Sequence, residues 1–208
     1  MAERVLEIVG EKEGKTLLEI GANIGTHTIY LTRSGRFDRI ICVEPEPGNV
    51  SLLKQNLFLN DLTAKTIVVE CAVGDHNGVV DFYFDESNYG ASSVIKPKDE
   101  ACSTRVSLRR VDDILREVGV SPDEIGLVWM DIEGAEVDAL KSMRELVDRR
   151  TPILMEYVPS RYMPSEANEM IAYLSQHYGR CVVFSGKSER EMDIRNLPGG
   201  EYDILLLP

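Results

Sequence analysis

Seven short β-rich runs, at residues 16–20, 39–44, 66–71, 127–130, 153–157, 181–184 and 204–207, alternate with segments of helical period. Continuous apolar runs of this kind suit strands covered on both faces, hence a mainly parallel sheet. Between them, Val50, Leu53 and Leu57 share one helical face, as do Val111, Ile114, Leu115 and Val118 ahead of Gly119. Val137, Leu140, Met143 and Val147 predict a third helix. Ala167, Met170, Ile171, Leu174 and Tyr178, ahead of Gly179, predict a fourth. The alternation predicts an α/β fold, a doubly wound sheet with helices on both faces. Only residues 78–107 break the rhythm. Alternation at 79–84, a loop at 85–91 and Ser92-Ser93-Val94 predict an edge hairpin inserted near the ligand cleft. With 208 residues and no repeat or linker, the chain reads as a single domain, 1–208.

Charge narrows the possible partners. Thirty-five acids against 23 bases give a net charge of −12. That balance argues against nucleic acid or an anionic membrane as a nonspecific partner, since both favour a basic surface. No apolar run approaches the roughly 18 residues of a membrane span, and the acidic start is unlike a signal peptide. Cys42, Cys71, Cys102 and Cys181 lack CxxC spacing, and all but Cys102 fall in the strand-like runs. Buried free thiols in a reducing, cytoplasmic setting are therefore expected rather than zinc ligands.

The sharpest chemical signal is Glu19-Ile20-Gly21-Ala22-Asn23-Ile24-Gly25-Thr26. It follows the first run directly and opens a helix. Its glycines permit a tight turn and close ligand approach beside unpaired helix N–H groups. It is not the GxGxxG dinucleotide fingerprint, which weighs against an NAD-dependent oxidoreductase; ExGxxxG is the spacing of an S-adenosylmethionine loop. Glu44 ends the second run 19 residues after Gly25, near the roughly 20-residue offset at which an acid reaches a nucleoside ribose. Cys71-Ala72-Val73-Gly74-Asp75 ends the third run, beside the base of a nucleoside bound to such a sheet. Asp75 there has two readings: acceptor for an adenine amino group, or member of the turn Asp75-His76-Asn77-Gly78.

Trp129-Met130-Asp131-Ile132-Glu133-Gly134-Ala135-Glu136 places three carboxylates around a strand-to-helix turn at the ligand-binding end of the sheet. Crowded carboxylates raise one another's proton affinity, a route to a general base near neutral pH. Oxygen ligands also suit a hard cation, and acids in a first helical turn serve the helix dipole, the simplest reading of Glu136. His27 reads as packed or ligand-proximal, His76 as a turn residue and His177 as a helix C-terminal residue. Ser92 and Ser93 read as ligand contacts or a local turn, and Tyr83 and Tyr89 as a lid or as edge packing.

Taken in order, the loop Leu18-Glu19-Ile20-Gly21-Ala22-Asn23-Ile24-Gly25, the step Val43-Glu44-Pro45, Ala91-Ser92-Ser93 and Asp131-Ile132-Glu133-Gly134-Ala135-Glu136 resemble the FkbM family of S-adenosylmethionine-dependent methyltransferases. Val111-Asp112-Asp113-Ile114-Leu115 and Ile153-Leu154-Met155-Glu156 match the same layout, so the resemblance spans residues 16–160. It implies a class I methyltransferase fold with a seven-stranded sheet whose last strand is antiparallel, and S-adenosylmethionine as cofactor. It further implies O-methylation of a hydroxyl on a small molecule or sugar. By this resemblance Glu19, Gly21, Asn23 and Gly25 surround the methionine part and Glu44 the ribose. Ala72, Val73 and Asp75 flank adenine, and Ala22, Thr26 and Pro45 also touch cofactor. Asp131 lies near the sulfonium, and Asp131, Glu133 and Glu156 are the candidate bases at strand ends. No metal ligand is assigned, and assistance by a divalent ion stays open. The alternative is a nucleoside-binding module of the same fold that has lost methyl transfer. The region after Tyr157 matches no motif, and acceptor choice is expected there.

Overall fold

The computed structural model describes residues 1–10, 15–84, 92–96, 102–186 and 188–208. Its strands, in chain order, are β1 (Thr16–Ile20), β2 (Arg39–Val43), β3 (Thr66–Val69), β4 (Ala72–Val73), β5 (Gly78–Tyr83), β6 (Ser103–Arg109), β7 (Ile125–Met130), β8 (Ile153–Tyr157), β9 (Arg180–Ser185), β10 (Ser188–Asp193) and β11 (Tyr202–Leu207). The helices are α1 (Ala2–Val9), α2 (Thr26–Arg33), α3 (Pro47–Leu59), α4 (Val111–Val118), α5 (Glu136–Ser142), α6 (Arg144–Asp148) and α7 (Pro164–Leu174).

All seven runs lie in one sheet, of order β10-β9-β11-β8-β7-β1-β2-β3. The sheet has eight strands rather than the expected seven. The additional strand, β10, reads Ser-Glu-Arg-Glu-Met-Asp and pairs antiparallel with β9 at the edge. It carries no apolar run to find, and its charges suit an edge strand, where they discourage further pairing. β11 is antiparallel to both neighbours, β8 and β9, while β3, β2, β1, β7 and β8 run parallel.

Period-two alternation divides the sheet into two dry faces. Leu17, Ile40, Cys42, Leu127 and Trp129 pack on the side of α1, α2 and α3, with Val5, Leu31 and Leu53. Leu18, Ile20, Ile41, Val128 and Met130 pack on the other side, with Ile114, Leu140, Leu146 and Leu174 from α4 to α7. Burial on both faces is why these strands read as unbroken apolar runs.

Three local differences from the expected elements have physical causes. The stripe Val137, Leu140, Met143 and Val147 is buried throughout but belongs to two helices, because the chain breaks at Met143. There the Ser142 hydroxyl donates to the Ala139 carbonyl and accepts the Val111 N–H, a side-chain competitor to helix continuation. α7 stops at Leu174, and the buried Tyr178 instead anchors its hydroxyl on the Thr151 carbonyl at 2.7 Å. The segment expected as an edge hairpin forms its own sheet, β4-β6-β5, over a small core of Ala72, Phe82, Val106 and Leu108. Ser93 bridges to Tyr83, whereas the loop 85–91, with Tyr89 and Ala91, lies outside the described residues. Cys42, Cys71 and Cys181 are buried free thiols and Cys102 is exposed. Among the described residues no helix is long and apolar enough to cross a membrane.

The chain runs from β1 outward to β3, then returns to lay β7 on the opposite side of β1. Ligands of open α/β sheets lodge at such a reversal, outside the carboxyl ends of the strands. Gly21 sits there at φ +85°, and a Cβ on it would stand 1.9 Å from the Asp131 carbonyl oxygen. Gly21→Ala is expected to destabilise the fold by about 2–4 kcal/mol, from left-handed strain plus a backbone clash. Gly119, at φ +68° with nothing within 4 Å of a new Cβ, should lose only about 1 kcal/mol on the same change. Equal losses in urea unfolding would show that the approach of β1 and β7 does not depend on Gly21.

Candidate active site

A cleft of about 280 Å³ opens at the carboxyl ends of β1, β2 and β7, near the lower end of the roughly 300–1,000 Å³ usual for small-molecule sites. Of the residues singled out from sequence, Gly21, Ala22, Asn23, Thr26, Glu44, Pro45, Ala72, Val73, Asp131 and Glu133 line it. Glu19, Gly25, Asp75 and Glu156 stand off its wall.

The β2 end of the cleft is built around Glu44, which is almost wholly buried. One carboxylate oxygen accepts the Asn23 N–H at 2.8 Å; the other accepts the Glu46 N–H at 3.0 Å and the Asn49 side-chain amide at 3.4 Å. Burial raises its proton affinity, and these donors pull it back. The bond to Asn23 also supports that residue's left-handed backbone, φ +49°. Glu44 thus joins the glycine loop to the start of α3, and a carboxylate has about four acceptor positions, so capacity remains for a ligand.

Four residues are placed elsewhere by the same geometry. Glu19 alternates to the α2 face of β1, where it is buried and accepts the Thr28 hydroxyl at 2.5 Å. Burial pushes its carboxyl up to about 8, and its contact fastens α2 beneath the loop. Gly25 caps α2 at φ +90°, pressed so close to Leu53 that a Cβ would meet its methyl at 2.6 Å. Asp75 lies in its turn with its carboxylate on the His76 ring at 2.6 Å, which lowers its pKa. Glu156, on β8, is not a lining residue, but one of its carboxylate oxygens lies within 4.8 Å of those of Asp131 and Glu133.

At the end of β7, Asp131 stands exposed to the cleft and among carboxylates. Burial first, then Glu156, Glu133 and Glu136, push its carboxyl up to about 7. Asp131, Glu133 and Glu156 bring one oxygen each within 4.8 Å of one another, a spacing that could hold a metal ion. The Arg161 guanidinium stands on two of them, 2.7 Å from Glu133 and in direct contact with Glu156. Glu136 is buried and serves the turn itself. One oxygen accepts the Gly134 and Ile132 N–H groups at 3.2 and 3.3 Å, and the other accepts the Tyr162 hydroxyl at 2.9 Å.

Several wall residues escaped the sequence reading. Phe82 and Val94, not singled out individually, come from the β4-β6-β5 region, the segment expected near the ligand cleft, and both line it. Asn49 was visible only as a helix residue. Arg161 follows Glu156 in a single 3-10 turn, Pro159–Arg161, too short to show a period. His27, weighed as packed or ligand-proximal, is both: it lines the cleft and stacks on Trp129, ring centroids 4.8 Å apart, and burial lowers its pKa. Ser92 also lines the cleft. The Ser93 hydroxyl donates to the Glu133 carbonyl at 2.9 Å, linking the segment 92–96 to the acidic turn.

The methyltransferase FkbM domain model matches residues 19–181. The chain is 27% identical over 162 residues to the 2-O-methyltransferase NoeI of Sinorhizobium fredii, across 71% of this chain and 65% of that one. It therefore spans somewhat less than two thirds of that relative's length. A solved methyltransferase FkbM from Methylobacillus flagellatus is similar in fold at a TM-score of 0.61 and 18% identity, over 93% of this chain and 43% of that one. An rRNA methylase from Streptococcus thermophilus is also similar in fold, at a TM-score of 0.57 and 9% identity over 99% and 92% of the two chains. The architecture by itself therefore does not exclude a nucleic-acid substrate. With the domain model running unbroken from the glycine-loop acid to β9, this chain belongs to the FkbM methyltransferase family.

Proposed function

We propose that the chain is an S-adenosylmethionine-dependent methyltransferase that methylates a hydroxyl group of a small molecule or sugar. The observation that carries this reading is that the loop Gly21–Asn23, the buried Glu44 and Asp131 all line one cleft. The residues fit the cofactor. Glu44 offers a buried acceptor for ribose hydroxyls, Ala72 and Val73 give an apolar strip for a purine, and Gly21, too near the Asp131 backbone to carry a side chain, keeps the loop against the end of β7. Asp75 is occupied by His76, so adenine contact falls to the strip rather than to that carboxylate. The acidic far end suits a sulfonium.

When bound, the cofactor supplies a methyl group already activated by its positive sulfur. The protein's part is then to hold the acceptor oxygen about 3 Å from that carbon, in line with the leaving sulfur, and to exclude water. Removal of the hydroxyl proton falls to Asp131, which is open to the cleft with its proton affinity near neutrality, whereas Glu133 and Glu156 are paired with Arg161. The net charge of −12 and the acidic wall weigh against a nucleic-acid acceptor. O-Methylation is further supported by the printed activity of NoeI. Intact acids at the reacting end favour this reading over a binding module without transfer.

Calorimetry with S-adenosylhomocysteine is expected to give micromolar binding, and its absence would sink the cofactor reading. Glu44→Ala should weaken that binding by about 1–3 kcal/mol through lost charged hydrogen bonds; unchanged affinity would remove Glu44 from the ribose.

Asp131→Asn should lower turnover about 10²–10⁴-fold in a labelled-methyl assay over hydroxylated acceptors, with cofactor affinity retained. The wild-type rate should rise through pH 7 as Asp131 deprotonates; a flat profile there would exclude it as the base. Stability runs the other way. The carboxyl binds its proton more tightly in the native state than in the unfolded chain, so its contribution falls as pH rises from the ordinary aspartate range to about 7. Thermal melts should therefore show Asp131→Asn gaining more over wild type at pH 8 than at pH 5.

A further inference from the structure

Arg161 lies beyond every motif the sequence offered, yet its side chain reaches the centre of the acidic end. Its guanidinium joins two different elements: Glu133, in the turn after β7, at 2.7 Å, and Glu156, on β8, in direct contact. Its stem packs where a Cβ on Gly134 would point, 3.6 Å from the Arg161 Cβ. Both acids are well covered by protein, and so is much of the arginine, which makes this pair of contacts less screened than a surface ion pair. A planar guanidinium meets two carboxylates in a fixed fork that a lysine ammonium matches only as a point charge.

The charge arithmetic gives the contact a consequence. Asp131, Glu133 and Glu156 have oxygens within 4.8 Å of one another. Left alone, three carboxylates would hold a sulfonium donor more firmly than the neutral sulfide product, and would stabilise the charge that methyl transfer must remove. One cation cancels much of that excess and leaves Asp131 as the acid of the three that is not paired with it.

We propose that Arg161 is a positioning residue that locks Glu133 to Glu156 and tempers the acidic wall, so that the cleft does not over-stabilise a cationic donor relative to its neutral product. The proposal rests on the cofactor reading given above. It acts through the two glutamates, not by touching the reacting atoms.

The test is equilibrium binding of S-adenosylmethionine and S-adenosylhomocysteine to wild type, Arg161→Met and Arg161→Lys, without any acceptor. Arg161→Met keeps an apolar stem against Gly134 and removes the charge. It should shift the affinity ratio toward the cationic ligand by about threefold or more at low salt, and Arg161→Lys should return most of the shift. A purely structural role would weaken both ligands together and leave the ratio unchanged, which would overturn the proposal. Should Arg161→Met fail to fold, Glu156→Gln removes one negative charge and should move the ratio in the opposite direction; no movement counts against the proposal.

If neither ligand binds wild type, the cofactor reading fails, and Arg161 is judged with manganese alone. Paramagnetic resonance should then show saturable manganese binding in Arg161→Met that wild type lacks. Equal binding, or none in either, would mean that Arg161 does not govern the charge of this cluster.

Discussion

One backbone contact sets the position of everything in the cleft. Where β1 ends, the Ile20 carbonyl accepts the Asp131 N–H at 3.0 Å, and the next residue, Gly21, comes so near the Asp131 carbonyl that a side chain's first carbon would overlap it. The glycine loop and the acidic turn are therefore two exits from one joint rather than two separately placed sites. On the other side, Gly21 and Ala22 both donate to the Val43 carbonyl, at 2.9 and 3.1 Å, so the loop is fixed to the end of β2 as well. Glu44 follows directly and closes the triangle through Asn23. Distances across the cleft are inherited from strand spacing, which a rigid sheet holds far better than a loop would.

The acids of the site divide by what surrounds them. Glu19, Glu44 and Glu136 are buried, and each is met by hydroxyl or N–H donors: Thr28 for the first, Asn23 and Glu46 for the second, Tyr162 and two turn amides for the third. A buried carboxylate that finds donors holds backbone in place. Burial raises the proton affinity of all three, and their donors pull it back; Asp131 is raised by burial too, but the groups around it are other carboxylates, which push it further up. Crowding without donors costs stability once the carboxyl is ionised. Glu44 is of the first kind, and it supports Asn23 from beneath while also lining the cleft.

The sheet was legible because its strands are buried on both faces: seven apolar runs became seven strands, and the glycine loop and acidic turn fell at the ends of β1 and β7. What escaped has a common cause. β10 is held by its neighbour's hydrogen bonds and charged side chains, which leave no apolar signature. The segment 78–107 was expected near the cleft and reaches it through Phe82, but that β4, β5 and β6 form a separate sheet is a tertiary event without local period. Glu19 reads as part of the loop motif, but a one-residue offset in a strand reverses the face, and it points at Thr28 beneath the loop. Met143 carries the right apolar character for a continuous helix, and the break is imposed by the hydrogen bonds of Ser142.

The stretch following Tyr157 was the least informative part of the chain, and it now has a mechanical role. Within it, Arg161 grips Glu133 and Glu156, while Tyr162 donates to Glu136, whose other oxygen holds the amides of Ile132 and Gly134. A single short turn after β8 therefore braces the whole acidic turn after β7, including the left-handed Glu133 at φ +56° and Gly134 at φ +104°. Strain at those positions persists because both sides of the turn are fixed from outside it. Ser93 fixes the same turn from the β5 side through the Glu133 carbonyl. The acidic end is thus suspended between two segments that carry little periodic signal of their own. A change in either would shift the carboxylates of the acidic turn without replacing any residue of the glycine loop or Glu44.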